Sequence, residues 1–323
     1  MPAASTPLPL LDHRLLVVSG KGGAGKTTLT ATLALWAARG GRRVMVVEMG
    51  PKTQVPNLLN PGHAEVGYEG AEILPGLHVM RADPFAALAE YLEIRIGMRP
   101  VVERLLEFEG FRQLMQAAPG WRELITLGKV WHLEQMREAG APRYDLLLVD
   151  APATGHGVRF LDVPRVVASA LRSGPLRANS LRVEALIADP ARTLLLPVAL
   201  AEELPVRETV ELVERARDGL SIHVDRLVLN AVEPAPFPTE RNDLDERLAS
   251  LPGDLQVQGL PPMATLSACA RHLRRRHELN QHYATKLSHA TGLPTIQLPY
   301  LAGGVRGPES LEKLLEPLAE VAE

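Results

Sequence analysis

The stretch GKGGAGKTT, Gly20–Thr28, fits the spacing G-x-x-x-x-G-K-[ST], with the apolar run LLVVS before it and the helix-forming run TLTATLALWAARG from Thr28 onward. Residues of these types in this order bind phosphate. Gly20, Gly22, Gly23, Ala24 and Gly25 let backbone N–H groups turn inward on an anion, and the start of the following helix adds its dipole. Lys26 supplies a point charge to the β- and γ-phosphates, the Thr27 hydroxyl reaches Mg²⁺, and Thr28 completes the cradle. A second constellation is YDLLLVDAPATGH, residues 144–156, in which an apolar run ends in Asp150. A carboxylate at the C-terminal end of such a strand can reach Mg²⁺, so Thr27 and Asp150 form the expected metal pair.

These groups need a scaffold, and the sequence supplies one. Short apolar runs recur at 15–20, 43–49, 77–82, 145–151, 193–200, 225–232 and 295–301, and longer segments with helical apolar spacing separate them. Continuous apolar strands alternating with helices predict an α/β fold: a doubly wound, mainly parallel sheet of the P-loop nucleotide-binding type, covered on both faces. Residues 15–323 read as a single domain behind a flexible N-terminus, 1–14. Residues 84–140 and 160–190 exceed ordinary crossover helices. They predict an inserted helical subdomain at one edge of the sheet, flanking DAPATGH. A further helical stretch covers about 240–291, after the Pro-rich connector EPAPFP at 233–238.

Composition narrows the function classes. The chain has 323 residues, 46% of them hydrophobic, which fills a sizeable core. A net charge of −3 gives no global electrostatic case for nucleic acid or an anionic membrane. The single cysteine, Cys269, excludes an intramolecular disulfide and a Cys-based zinc site within one chain. Residues 1–14 lack the basic start and apolar core of a signal peptide, and no apolar run reaches membrane length. A cytoplasmic protein without a membrane anchor is the expectation.

Lys21, directly after the first glycine, is one lysine more than phosphate binding requires. It resembles the signature lysine of the deviant Walker A motif of the MinD/ArsA class, which reaches the partner's phosphates across a nucleotide-sandwich dimer. Thr154, Gly155 and His156 after Asp150 resemble the switch II of the ArsA-like and tail-anchored-protein-targeting ATPases. On these motifs the chain resembles the ArsA-like ATPase family. That resemblance implies ATP and Mg²⁺ as ligands, a dimer with a second copy or a related ATPase, and a partner or cargo at the helical subdomain. It also implies catalytic roles for Lys21, Lys26 and Asp150. Asn230, in LVLNAV, resembles the family's adenine-binding asparagine, and Pro299, Tyr300 and Leu301 resemble the segment that packs on the base.

One position departs from the pattern. The second core strand runs into VVEMGPK, and with Pro51 aligned to the motif proline, Glu48 takes the first acidic place and Gly50 the second. The water-orienting carboxylate is therefore missing from its expected position, which predicts slow hydrolysis by a chain that still binds nucleotide. Glu48 is a candidate substitute, although a two-residue offset on a strand spans roughly 6–7 Å. The other readings are a paralogue that donates a complete switch, and a slow hydrolase in which nucleotide binding itself drives dimerisation.

This yields an ATP-binding dimeric switch with slow hydrolysis, coupled to a partner or cargo. The alternative is a non-catalytic regulatory or scaffolding subunit that pairs with a catalytic paralogue or acts in ParA/MinD-like positioning. The absence of paired cysteines separates the chain from zinc-stapled targeting factors and from cysteine-based metalloid sites. The basic run RHLRRRH, 271–277, reads as a solvated helix face, with DNA contact the less favoured use. In HELNQH the two histidines are five apart, which is not the i, i+4 spacing of a zinc helix.

Overall fold

The computed structural model describes residues 9–117, 120–152, 158–236 and 259–322, with the single residues 246, 250 and 252. Its strands are β1 (Leu15–Gly20), β2 (Val44–Glu48), β3 (Ala71–Leu74), β4 (Leu77–Arg81), β5 (Arg137–Glu138), β6 (Ala141–Pro142), β7 (Leu146–Asp150), β8 (Thr193–Leu200), β9 (Leu227–Val232) and β10 (Thr295–Pro299). Eight of them form one sheet in the order β10-β9-β8-β1-β7-β2-β4-β3, all parallel except β3, which pairs antiparallel with β4 at the edge. β5 and β6 make a separate two-residue ladder. Every predicted core strand is present. The added edge strand β3 reads AEIL, with Glu72 exposed and only Ile73 buried, so it carries no continuous apolar run of the kind that marks the others.

The chain leaves β1 toward β2 on one side and returns past it through β7 to β8 on the other, so the sheet is doubly wound about β1. Ligands of such sheets bind at the C-terminal ends of the strands beside that reversal, which is where GKGGAGKTT lies. Leu15 and Val17 of β1 point into one hydrophobic core, while Leu16 and Val18 point into the other. This alternation follows from the two-residue period of a strand buried on both faces.

The first described helices, α1 (Lys26–Arg39) and α2 (Val55–Leu59), cover one face with the last, α11 (Pro308–Ala322). Between them in sequence come α3 (Pro84–Ile96), α4 (Arg99–Glu107), α5 (Glu109–Ala117), α6 (Trp121–Gln135), α7 (Arg159–Ala170), α8 (Pro175–Ala188), α9 (Glu203–Glu214) and α10 (Met263–Thr291). Helices α6, α7 and α8 pack on one another, and α3 packs on α6. An edge position for these helices does not hold for α6–α8. Leu127, Val130 and Leu133 of α6, Phe160 and Leu161 of α7, and Val183, Leu186 and Ile187 of α8 share the core with Leu15, Val17, Leu147 and Val149. Those residues therefore belong to the core on one face of the sheet and not to a separate one.

Within the stretch read as a flexible N-terminus, Leu10–Asp12 form a 3₁₀ turn, and Leu10 and His13 are completely buried. On the other face, Glu134 is buried between Arg14 and Arg192, 2.6 Å from the latter, tying α6 to the start of the central strands.

Candidate functional site

The phosphate loop connects β1 to α1, and its glycines are required by contacts as well as by conformation. Gly20 has φ +149°, and a Cβ there would lie 2.2 Å from the Val198 carbonyl oxygen of β8. Gly25 has φ +95°, and a Cβ would lie 1.9 Å from Nδ2 of Asn230. A side chain at Gly20 would run into the backbone of β8, and one at Gly25 would push the Asn230 side chain off the loop. Asn230 donates from that Nδ2 to the Ala24 carbonyl oxygen at 3.0 Å, so the end of β9 braces the loop from behind.

Lys26 is the first residue of α1 and is buried, with its Nζ donating to the Lys21 carbonyl oxygen at 3.2 Å. Burial lowers its pKa, against the opposing pull of Asp150. Thr27 donates its hydroxyl to Oδ2 of Asp150 at 2.6 Å. The other carboxylate oxygen, Oδ1, is buried and has no hydrogen-bond partner among the described residues. Burial raises the Asp150 pKa, opposed by the Thr27 hydrogen bond and by Lys26. A hydroxyl bonded to a carboxylate whose second oxygen is enclosed and unpartnered is the donor set expected of a hard divalent cation, so Thr27 and Asp150 fit Mg²⁺.

Glu48 stands opposite Asp150 in the β2–β7 register and is 2% exposed. Its Oε1 accepts hydrogen bonds from the amides of Gln54, at 2.8 Å, and Val55, at 3.2 Å, at the start of α2. Oε2 is buried without a partner among the described residues. Burial, with a smaller contribution from Asp150 and against the two amide hydrogen bonds, pushes the Glu48 pKa up to about 7. Between Glu48 and α2 runs the loop bearing Gly50, and Arg81 of β4 donates to the Pro51 carbonyl oxygen at 3.1 Å. A Cβ at Gly50 would approach the Lys52 carbonyl oxygen to 3.5 Å, an ordinary van der Waals contact, so space does not exclude an aspartate there.

A family model for anion-transporting ATPases matches residues 13–177 of the chain, a span that runs from just before β1 through the phosphate loop, Glu48 and Asp150 into α8. The chain is a member of the anion-transporting ATPase family. Among curated relatives, the ATPase BagA of Mycobacterium tuberculosis is 29% identical over 330 residues, covering 97% of this chain and 95% of that protein. The ATPase GET3 of Lachancea thermotolerans is 21% identical over 338 residues, covering 93% and 88%. The arsenical pump-driving ATPase of Escherichia coli is 28% identical over 274 residues, covering 76% of this chain but 45% of the relative.

The remaining predicted site residues of this anion-transporting ATPase family member fall into three groups. Lys21 is exposed on the loop, and its Nζ lies 3.1 Å from Oε1 of Glu208 on α9. Pro299 pairs with Val232, the Tyr300 amide donates to the Val232 carbonyl oxygen at 2.8 Å, and Leu301 packs at the margin of the α1-side core. β9 and β10 thus bring Asn230 and the 299–301 segment to the same end of the sheet. Thr154, Gly155 and His156 lie outside the described residues, so the switch II reading stays at the level of sequence.

Two side chains around this site, Glu208 and Asn280, were not singled out from sequence, and His277, weighed there only as a zinc ligand, has a different part. Glu208 carries no local signal, since only the packing of α9 beside the loop brings it to Lys21. His277 and Asn280 are one turn apart on α10, and both hold the segment after β9: His277 Nδ1 lies 2.8 Å from the Glu233 carbonyl oxygen, and Asn280 Oδ1 accepts the Glu233 amide at 2.8 Å. Their i, i+3 spacing on one helix face was the available signal. Arg276, within the basic run, lies over the Tyr300 ring at 5.4 Å and near Glu233, so this arginine of the predicted solvated face has structural neighbours. Among the described residues, no helix is long and apolar enough to cross a membrane.

Proposed function

We infer that this protein is an ATP-binding switch that closes as a dimer in the cytoplasm, hydrolyses ATP slowly, and couples nucleotide state to a partner at its helical layer. The observation that carries the reading is the Thr27–Asp150 hydrogen bond of 2.6 Å beneath the glycine loop, with Asp150 Oδ1 enclosed and without a partner among the described residues. Thr27 and Asp150 would hold Mg²⁺, which neutralises charge on the phosphate oxygens when bound. Lys26 moves its charge from the Lys21 carbonyl oxygen to phosphate, a strong exchange because the amine is already desolvated. The backbone amides from Gly22 to Thr27 orient the anion.

Slow hydrolysis follows from two features. Gly50 carries no carboxylate, and the nearest alternative, Glu48, has one oxygen committed to the amides of Gln54 and Val55. Positioning the attacking water supplies most of what such a site contributes, so this chain retains binding better than turnover. Support for the dimer rests on Lys21. Its charged contact among the described residues is an exposed pair with Glu208, worth little and readily exchanged for a partner's phosphate.

The test is calorimetric binding of ATP with Mg²⁺, together with light scattering and steady-state turnover. Expected are binding abolished by Lys26→Ala, a doubling of mass with ATP, and slow turnover. Rapid turnover abolished by Lys26→Ala would sink the slow-switch reading. A second reading draws on the same Gly50: a non-catalytic subunit that holds a catalytic paralogue with a complete switch. Co-purification with such a paralogue, and no ATP-dependent homodimer, would favour it.

A further inference from the structure

Helices α3, α6 and α8 line a cavity of about 220 Å³ that no residue of the phosphate loop borders, with Tyr91, Ile94, Leu124, Trp131, Leu176 and Val183 among its walls. An apolar cavity of about 150 Å³ is large enough to take a benzene ring, so this one accommodates a somewhat larger apolar body.

A glycine keeps it open. Gly128 lies in the middle of α6 on the cavity wall, and a Cβ there would meet no atom within 4 Å. Glycine in a helix interior costs stability relative to alanine, and no packing constraint at this position requires it. The space its side chain would enter is the cavity itself.

The charges around the cavity are not balanced. Glu90 is committed: it accepts from Tyr68, and Lys129 Nζ lies 2.6 Å from its Oε2, so that pair leaves no net charge. His132 also lies 4.0 Å from Glu90, and two arginines remain. Arg95 stacks on Tyr91 at 5.7 Å and donates to Asn179 at 3.2 Å, and Arg182 stacks on Trp131 at 5.7 Å. Neither has a carboxylate partner among the described residues. Exposed Ile94 and Leu176 lead to the same place. An apolar chamber flanked by two uncompensated guanidinium groups is complementary to an apolar body carrying one anionic head.

We propose that this cavity binds a small amphipathic carboxylate, with its apolar body beside Gly128 and its head at Arg95 and Arg182. The experiment uses the full-length protein without nucleotide. Decanoate, decanol and decyltrimethylammonium share a tail and differ in head charge, and each is titrated by calorimetry and by tryptophan fluorescence below its micellar concentration.

Decanoate is expected to bind one per chain, at least tenfold tighter than either probe. Gly128→Leu fills the chamber and should abolish binding without lowering the melting temperature. Should that variant fail to fold, the exposed changes Arg95→Gln and Arg182→Gln keep the test open, each expected to weaken decanoate about tenfold. No binding by the unmodified protein, equal affinity for the three probes, wild-type affinity in a folded Gly128→Leu variant, or arginine variants that bind decanoate unchanged overturns the proposal.

Discussion

Asp150 and Glu48 face each other in register at the ends of β7 and β2, and both are nearly closed to solvent. Burial raises the pKa of each. They differ in the groups that meet them at the strand ends, and therefore in what they hold. Across the loop, Asp150 meets the Thr27 hydroxyl, which can turn away to share a cation. Glu48 meets two backbone amides at the start of α2, which cannot leave without unravelling that turn. A strand-end carboxylate thus acquires its role from the partner that a neighbouring segment presents, and among the described residues one oxygen of each has no partner.

The comparison can be broken most sharply at Asp150. Asp150→Asn should lower ATP turnover on the order of a thousandfold, because several kcal/mol of charge neutralisation are lost and each 1.36 kcal/mol is tenfold. Glu48→Gln, which keeps an accepting oxygen for the amides, should change turnover little. Equal losses in the two variants would mean that Glu48 also touches the reacting groups.

The second difference is in stability. The folded chain keeps a proton on Glu48 up to about pH 7, while the unfolded chain releases it near pH 4.5. This residue therefore leaves stability untouched below pH 4.5, lowers it as pH rises from 4.5 to 7, and adds nothing further above that. In urea titrations without nucleotide or Mg²⁺, Glu48→Gln should be more stable than the parent at pH 8, by at most about 3 kcal/mol, with the gap closing toward pH 4.5. A gap independent of pH would remove burial of the charge as its cause.

A third test repairs what Glu48 does not do. Gly50→Asp meets no clash, since the Cβ lies 3.5 Å from the Lys52 carbonyl oxygen, and should raise turnover about tenfold if a positioned carboxylate is the missing element. The smallest effect is expected at Lys21. Glu208→Gln removes a partner from an exposed pair and should shift stability by less than about 1 kcal/mol, while making ATP-driven dimerisation more favourable in light scattering. An unchanged dimerisation midpoint would separate Glu208 from the switch.

The phosphate loop was legible because its chemistry is local: glycines, Lys26 and Thr27 are consecutive, and the strand before them and the helix after them carry their own apolar patterns. The core strands were legible for the same reason, since residues buried on both faces leave unbroken apolar runs. Asp150 was legible because one such run ends in it. By contrast, the Glu48 contacts with Gln54 and Val55 depend on how the intervening loop folds back, and nothing in VVEMGPKTQ specifies that path. The face-on packing of α6–α8 was missed because helical spacing records which side of a helix is apolar, not which part of the sheet it meets.

Composition and order alone determined that this chain builds a parallel sheet with a phosphate loop after its first strand, and that Gly50 lacks the carboxylate expected beside Pro51. Those are properties of consecutive residues. Only the tertiary structure decided that Asn230 braces the loop at Ala24, that Glu208 holds Lys21, that Asp150 and Glu48 each keep one enclosed oxygen unpaired among the described residues, and that Gly128 opens a chamber between three helices. Each joins segments distant in sequence, so it exists only once the packing of strands and helices has fixed which side chains meet.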